Sequence, residues 1–150
     1  MNFYAGVPRH RFLLLGSHAW GRPDERSDVD VVICVEGDRD HPYFQDLVRS
    51  LGPAMPPEGR LDLMWDEPER HRFTGVAGHT AIDPGPEYYA AMKAAAREIT
   101  IFDLGRMARA ARAMGPCMID SREQFQEREA AKGAVLDALV RRHRQQEPRP

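Results

Sequence analysis

Cysteine is scarce in this sequence, and no apolar segment is long enough to cross a membrane. Cys34 and Cys117 are the only cysteines among 150 residues, too few for a disulfide framework or a zinc site, so a reducing cytoplasm is the expected compartment. Apolar runs such as 12–15 and 31–35 have the length of strands, far below the roughly 20 residues of a membrane span. The first residues show no basic segment followed by an apolar one, so no signal peptide is expected.

Lysine is also scarce, and the charges are unevenly distributed. The chain has 19 Arg and two Lys against 23 acidic residues, and its net charge is −2. Positions 16–69 contain 13 acidic and five basic residues, a balance of −8, whereas positions 97–150 contain eight and 11, a balance of +3. One acidic and one basic region on a small domain predict a cation site beside an anion-binding surface; two solvated faces of opposite sign are the alternative.

The hydrophobic pattern alternates between strand-like and helix-like segments. Strands are predicted over 11–15, 29–35 and 60–65, with a short one near 80–82. Helices are predicted over 17–20, 42–51, 86–98, 103–114 and 121–143. Ser17 and Asp40 are the expected N-caps of the first two helices, and residues 66–85 are otherwise expected to be irregular.

This order of elements predicts an α/β fold, with a small mixed sheet flanked by helices and a helical C-terminal third. Three parts follow: a core over 1–98, a helical extension over 99–144 packed on that core, and a disordered tail over 145–150. Trp20 and Trp65 are expected to pack in the core, and Cys34 is expected to be a buried, inert thiol.

Two carboxylates occur on the second predicted strand. Successive side chains on a strand alternate between faces, so Asp28 and Asp30 project on one side, roughly 7 Å apart at their Cα atoms. They repel each other unless a cation lies between them, and their hard oxygen atoms suit magnesium. The alternative is a solvated edge strand. Asp62 lies between two leucines on the third strand and is the candidate third carboxylate. Asp66 is the reserve candidate and is expected in a loop.

A glycine and a serine follow the first predicted strand. Gly16 allows backbone N–H groups to approach a phosphate closely, and Ser17 adds a hydroxyl donor, which is compatible with its role as an N-cap. The segment 16–30 therefore combines a phosphate-binding turn with a metal-binding pair of carboxylates.

These residues resemble a known motif: Gly16-Ser17, then Asp28-Val29-Asp30 with Asp28 eleven positions after Ser17, and a later Leu61-Asp62-Leu63. The pattern is similar to that of the DNA polymerase beta-like nucleotidyltransferase superfamily, in particular its small members, the minimal nucleotidyltransferases. The resemblance covers residues 12–65. It implies that the Gly-Ser turn holds nucleotide phosphates, that all three carboxylates bind two magnesium ions, and that Asp62 activates the acceptor. Arg22 is the expected positive charge, because Trp20 stands where small members often carry an Arg.

The resemblance implies an enzyme that transfers a nucleoside monophosphate from a nucleoside triphosphate, with ATP favoured, to an acceptor hydroxyl. A protein side chain is the favoured acceptor, as for the antitoxin of a toxin–antitoxin pair, while a small molecule, RNA and a homo-oligomeric state stay open. The alternative is a non-catalytic module of the same fold that binds a nucleotide or a partner. A hydrolase that uses the same carboxylates is a third reading.

Overall fold

The computed structural model describes residues 4–24, 26–78, 81–116 and 120–147. Within these ranges the chain forms a mixed sheet with helices on both faces, the predicted α/β fold. The strands are β1 (Arg9–Leu15), β2 (Val29–Glu36), β3 (Leu61–Glu67), β4 (Arg72–Gly75), β5 (Ala81–Ile82) and β6 (Arg97–Ile99). The helices are α1 (Ser17–Trp20), α2 (Pro42–Leu51), α3 (Pro86–Ala95), α4 (Ile101–Met114) and α5 (Arg122–Gln146). No helix in these ranges is both long and apolar enough to span a membrane.

The sheet has the order β5-β4-β3-β2-β1-β6. Strands β2 and β3 are parallel and are connected through α2, whereas every other neighbouring pair is antiparallel. In this register Asp30 of β2 lies beside Leu15 of β1 on one side and beside Asp62 of β3 on the other. The end of β1 and the beginnings of β2 and β3 therefore meet at one edge of the sheet.

Both faces of the sheet are buried. Residues Val31, Val32 and Ile33 are fully inaccessible, because their side chains alternate between two apolar layers. One layer packs beneath α2 and α4 and includes Phe44, Leu104 and Trp65, which confirms the expected position of that tryptophan. The other layer lies beneath α3 and includes Leu15, Met64 and Tyr89, and α5 packs outside α3 through Leu139 and Val140.

Two short strands depart from the predicted pattern. Residues 66–78 are not wholly irregular, since β3 continues to Glu67 and β4 pairs with it. The predicted helix over 86–98 ends at Ala95, and the next residues form β6 against β1. Strands of three or four residues contain too few alternations to be distinguished by periodicity. Strand β4 pairs with the adjoining β3, whereas β6 pairs with β1, which is distant in sequence.

The predicted caps are also corrected. Ser17 is the first residue of α1, and the cap position belongs to Gly16. The cap of α2 is His41 rather than Asp40, because His41 Nδ1 accepts a hydrogen bond from Tyr43 N at 3.1 Å. Helix α5 extends to Gln146, so residues 145–146 of the predicted tail are helical. Residues 148–150, Thr80 of the predicted short strand and Cys117 lie outside the described residues.

Candidate active site

A cleft of about 1010 Å³ opens at the edge of the sheet where β1 ends and β2 and β3 begin. The loop 21–28 and helix α5 border its other sides. Every site residue predicted from the sequence lines this one cleft: Gly16, Ser17, Arg22, Asp28, Asp30 and Asp62. The structure thus brings together residues that are up to 46 positions apart in the chain.

The carboxyl groups of Asp30 and Asp62 are neighbours across β2 and β3, and they hydrogen-bond each other. Burial raises the pKa of Asp30 to about 8, and the negative charges of Asp62 and Asp28 raise it further in the same direction. Burial and the charge of Asp28 also raise the pKa of Asp62. Low solvation and like charge both disfavour ionisation, so this cluster retains a proton near neutral pH.

The three carboxyls are the residues that could hold a divalent cation. Over 4–24, 26–78, 81–116 and 120–147, no group of three or more His, Cys, Asp and Glu side chains is already arranged around a common metal position. The donor chemistry nevertheless fits magnesium, because hard carboxylate oxygens in a cleft with an excess of acidic residues suit a small divalent cation.

Gly16 brings the turn after β1 against these carboxyls. Its φ of 72° is in the left-handed region, which favours glycine. A Cβ at this position would lie 2.5 Å from Asp30 Oδ2, so the Asp30 carboxyl would have to move to accommodate it. The backbone conformation therefore favours glycine, and the close approach to Asp30 adds to that preference. Ser17 follows directly and lines the same wall of the cleft.

Local hydrogen bonds position the loop that precedes Asp28. Ser27 Oγ accepts from Asp24 N at 2.9 Å and donates to Asp24 Oδ1 at 3.1 Å. The backbone N–H of Arg26 donates to the same oxygen at 2.8 Å, and this bond holds the pKa of Asp24 below its usual value. On the other side of Asp28, Val29 N donates to Arg60 O at 2.8 Å. Asp28 is thus held between an ordered turn and the start of the parallel strand pair.

Helix α5 forms the far wall of the cleft, a role that the sequence reasoning missed. Its residues Arg128 and Lys132 line the cleft together with Val135 and Leu136. The ammonium of Lys132 lowers the pKa of Asp30 and of Asp62, so its positive charge faces the carboxyls. The signal in the sequence was the basic balance of 97–150, but that pattern does not identify which basic residue lies opposite the acidic segment.

The remaining wall of the cleft is apolar. Trp20, Met64, Ile82 and Met92 contribute to it. Trp20 was expected in the core; it is partly buried and packs against the apolar layers beneath and beside α3. The cleft therefore offers charged groups at the sheet edge and an apolar surface beside them, the combination that is usual in sites for small ligands.

Asp66, the reserve carboxylate, lies elsewhere and is not in a loop. It belongs to β3, and its four-residue separation from Asp62 corresponds to roughly 13 Å along the strand. Its carboxylate, 4% exposed, accepts from Tyr89 Oη at 2.6 Å and from Lys93 Nζ at 2.8 Å. Nearby, Cys34 is half-buried rather than buried as expected, and burial raises the pKa of its thiol to about 11. A raised pKa disfavours the reactive thiolate.

The cleft and its charges are features of this chain's own sequence and fold. Comparisons with protein-family models, with curated proteins and with solved structures find no match for the chain.

Proposed function

We propose that the protein is a magnesium-dependent nucleotidyltransferase of the minimal, DNA polymerase beta-like type. It transfers a nucleoside monophosphate from a nucleoside triphosphate, with ATP favoured, to an acceptor hydroxyl and releases pyrophosphate. The observation that carries the proposal is the apposition of Asp30 with Asp62 across the parallel pair, with Gly16 against Asp30. Asp28 and Ser17 line the same cleft. A two-carboxylate strand, a third carboxylate and a glycine turn are the parts that this chemistry requires.

Each residue has a role in this scheme. Magnesium, when bound by Asp28, Asp30 and Asp62, would neutralise the triphosphate and lower the pKa of the acceptor hydroxyl. Gly16 and Ser17 bind phosphate oxygens at the turn, and Arg22 supplies positive charge at the rim. The acceptor oxygen attacks the α-phosphorus, and the bond from that phosphorus to the bridging oxygen of the leaving pyrophosphate breaks.

Asp62 is the group that receives the hydroxyl proton. Its pKa is raised by burial and by Asp28, so its carboxylate is a stronger base than an exposed aspartate. The positive charge of Lys132 opposes that shift and favours the carboxylate form of Asp62. The remainder of catalysis is positioning and neutralisation of charge, as in other phosphoryl-type transfers.

The acceptor that we favour is a hydroxyl on a protein side chain, presented by a toxin-like partner. The cleft volume of about 1010 Å³ is at the upper limit of ordinary ligand sites, roughly 300–1,000 Å³, and leaves room for an acceptor group beside the nucleotide. This choice rests on the resemblance to small nucleotidyltransferases. A small molecule and RNA are the other acceptors that the experiment distinguishes.

The test is incubation of the purified protein with each α-labelled nucleoside triphosphate, magnesium and a cell lysate as the source of acceptor. Two controls run beside it: Asp28→Asn, and Asp46→Asn, which neutralises an exposed carboxylate on α2. We expect label on a protein with wild type and Asp46→Asn, and none with Asp28→Asn. Label on RNA or on a small molecule would change the proposed class of acceptor and leave the proposed transfer reaction unchanged.

Three other outcomes contradict the proposal. Magnesium-dependent triphosphate binding without label or pyrophosphate indicates the non-catalytic binding module. Free nucleoside monophosphate as the product, with water as the acceptor, indicates the hydrolase. Persistence of transfer in Asp28→Asn would eliminate the mechanism, because the scheme leaves no substitute for that carboxylate.

A further inference from the structure

A carboxylate lies between two guanidinium groups at the margin of the cleft. Arg26 Nη1 is 2.6 Å from Asp120 Oδ1, and Arg128 Nε is 3.1 Å from Asp120 Oδ2. Arg26 Nη1 also donates to Gln124 Oε1 at 2.9 Å, and Arg128 Nη1 donates to Arg26 O at 3.4 Å. We call these four residues, Arg26, Asp120, Gln124 and Arg128, the Asp120 clamp.

The Asp120 clamp is more sheltered than an ordinary surface ion pair. The exposed fractions of its charged side chains are 22% for Arg26, 16% for Asp120 and 26% for Arg128. Partly buried charges are screened less by salt than exposed ones, and the hydrogen bonds of a network strengthen one another. The clamp therefore contributes more to local order than an isolated exposed pair, whose contribution is small.

The clamp connects two segments that are distant in sequence. Arg26 lies in the loop 21–28, two positions before Asp28, and Asp120 directly precedes Ser121, the N-cap of α5. The separation of Arg26 and Asp120 is 94 residues. Both Arg26 and Arg128 line the cleft. The clamp thus joins the wall that carries Asp28 to the opposite wall formed by α5.

The first half of α5 has few other attachments. Among residues 122–146, all of which the structure describes, only Leu139 and Val140 are buried, and both are in the second half of the helix. Tyr88 Oη donates to Asp137 Oδ1 in that same second half. The apolar packing therefore lies at the end of α5, whereas the contacts described between its beginning and the loop before Asp28 are made by charged and polar groups.

We propose that the Asp120 clamp is a positioning device that holds the first half of α5 against the loop of Asp28 and so determines the width of the cleft. Its effect on nucleotide binding rests on the proposed function, but its effect on α5 does not. Removal of Asp120 leaves two neighbouring guanidinium groups without their shared carboxylate, so α5 and the loop separate. A wider cleft places Arg128 and Lys132 farther from a bound triphosphate, and the affinity for the triphosphate decreases.

The first experiment requires no substrate. Hydrogen exchange of amides 122–134 is measured in the full-length protein for wild type, Asp120→Ala, Arg26→Ala and the control Asp46→Asn. We expect exchange about tenfold faster in Asp120→Ala, which loses both partly buried ion pairs of the clamp. A smaller increase is expected in Arg26→Ala, which keeps the pair of Asp120 with Arg128, and no change is expected in the control. Arg26→Ala is decisive, because it alters α5 from 94 residues away and leaves the cap at Ser121 intact.

The second experiment measures nucleotide kinetics in the same variants. With Asp120→Ala we expect the KM for the magnesium triphosphate to rise about fivefold and kcat at saturation to change less than about twofold, the pattern of a lost binding geometry. Asp120→Glu retains the charge and is expected to restore most of the affinity. A purely structural role predicts a lower fraction of active protein instead, which reduces kcat and leaves KM unchanged.

The two proposals fail differently. The proposal that the clamp positions α5 is overturned if the exchange rates of amides 122–134 in both clamp variants stay within about twofold of wild type. This conclusion holds whatever the result of the enzymatic assay. An unchanged KM in a protein that does transfer nucleotide overturns its effect on the cleft. Absence of transfer and of triphosphate binding in wild type refutes the proposed function, and the exchange experiment then decides the clamp alone.

Discussion

The backbone of Gly16 lies against the carboxyl of Asp30, so that a Cβ on residue 16 would be 2.5 Å from Asp30 Oδ2. The two residues belong to antiparallel neighbours, because Leu15 of β1 is the register partner of Asp30 of β2. The turn that would hold phosphate and the carboxyl that would hold magnesium are thereby in contact. This relationship explains why the glycine and the aspartate are needed together.

Gly16→Ala is expected to destabilise the protein and to abolish transfer. The matched control is Gly115→Ala, because Gly115 has nearly the same backbone conformation, with φ 71° and ψ −168° against φ 72° and ψ −158°. Among the residues that the structure describes, leaving out its two chain neighbours, no atom lies within 4 Å of a Cβ built on Gly115. Both variants incur left-handed strain of about 1–2 kcal/mol, and only Gly16→Ala adds a clash. Denaturant unfolding measures the free energy of unfolding of each variant. Equal losses of this free energy in the two variants would contradict the close contact between Gly16 and Asp30.

Asp30→Asn is expected to stabilise the protein without ligands at pH 7–8. Asp30 keeps its proton up to a pKa of about 8 in the folded state, whereas an unfolded aspartate ionises near pH 4. Between about pH 4 and pH 8 the folded state binds more protons than the unfolded state, so the free energy of unfolding falls as the pH rises through this range. Below about pH 4 Asp30 is protonated in both states and does not change the free energy of unfolding. The neutral amide of the variant does not ionise, so Asp30→Asn avoids this loss of unfolding free energy. Its melting temperature is expected to rise by roughly 2–4 °C for each kcal/mol of unfolding free energy that is regained.

Thermal unfolding from pH 4 to 8 tests this prediction, with Asp46→Asn as the control. The gain of Asp30→Asn over wild type should grow with pH and disappear near pH 4. A variant less stable than wild type at pH 8 would show that Asp30 is ionised in the folded protein. Addition of magnesium and triphosphate should raise the melting temperature of wild type and not of Asp30→Asn, since only a ligand that binds the native state shifts unfolding.

Asp66→Ala is expected to destabilise the fold while the cleft keeps its chemistry. Asp66 is almost fully buried and accepts hydrogen bonds from both Tyr89 and Lys93. Its removal leaves an ammonium and a hydroxyl without their acceptor, at a cost of about 2–4 kcal/mol. Tyr89→Phe removes one bond only and should cost about 1 kcal/mol. Urea unfolding measures both. A loss of transfer per folded molecule in Asp66→Ala would contradict its placement outside the cleft.

Cys34 is expected to react slowly with thiol reagents. Burial raises its pKa to about 11, so the reactive thiolate is about 0.1% of the thiol at pH 8, against a reference thiol pKa of about 8.5. Alkylation by iodoacetamide, followed in a Cys117→Ser background, should accelerate about tenfold per pH unit from pH 7 to 10. A rate that levels off near pH 9 would indicate an ordinary, exposed thiol.

Local patterns in the sequence predicted much of the candidate site. The glycine turn directly after an apolar strand predicted where Gly16 and Ser17 would lie, and Asp28 and Asp30 were expected to share one side of a strand. Both aspartates line the cleft, but β2 begins at Val29, so Asp28 lies just before the strand rather than on it. These inferences need only the geometry of a strand and a turn. The strands β1, β2 and β3 were found for the same reason, since each has at least seven residues with a buried apolar segment.

Short or distant pairings were not predictable in the same way. Strands β4 and β6 have four and three residues, and their pairing partners determine their conformation. Asp66 was expected in a loop because Glu67-Pro68 follows it, yet β3 extends through Glu67. A strand can continue up to the residue before a proline as long as its residues pair with a neighbouring strand. The position at which the strand ends is therefore determined by the neighbouring strand as well as by the proline.

The sequence by itself determined which chemical groups this protein has at the end of its first strands, and in which order along the chain. Only the tertiary structure decided that Asp30 stands beside Asp62 and that α5 covers the cleft through the Asp120 clamp. The reason is physical. Side-chain alternation is local, whereas strand register and helix placement depend on burial and ion pairing between segments tens of residues apart, which leave no periodic trace in the sequence.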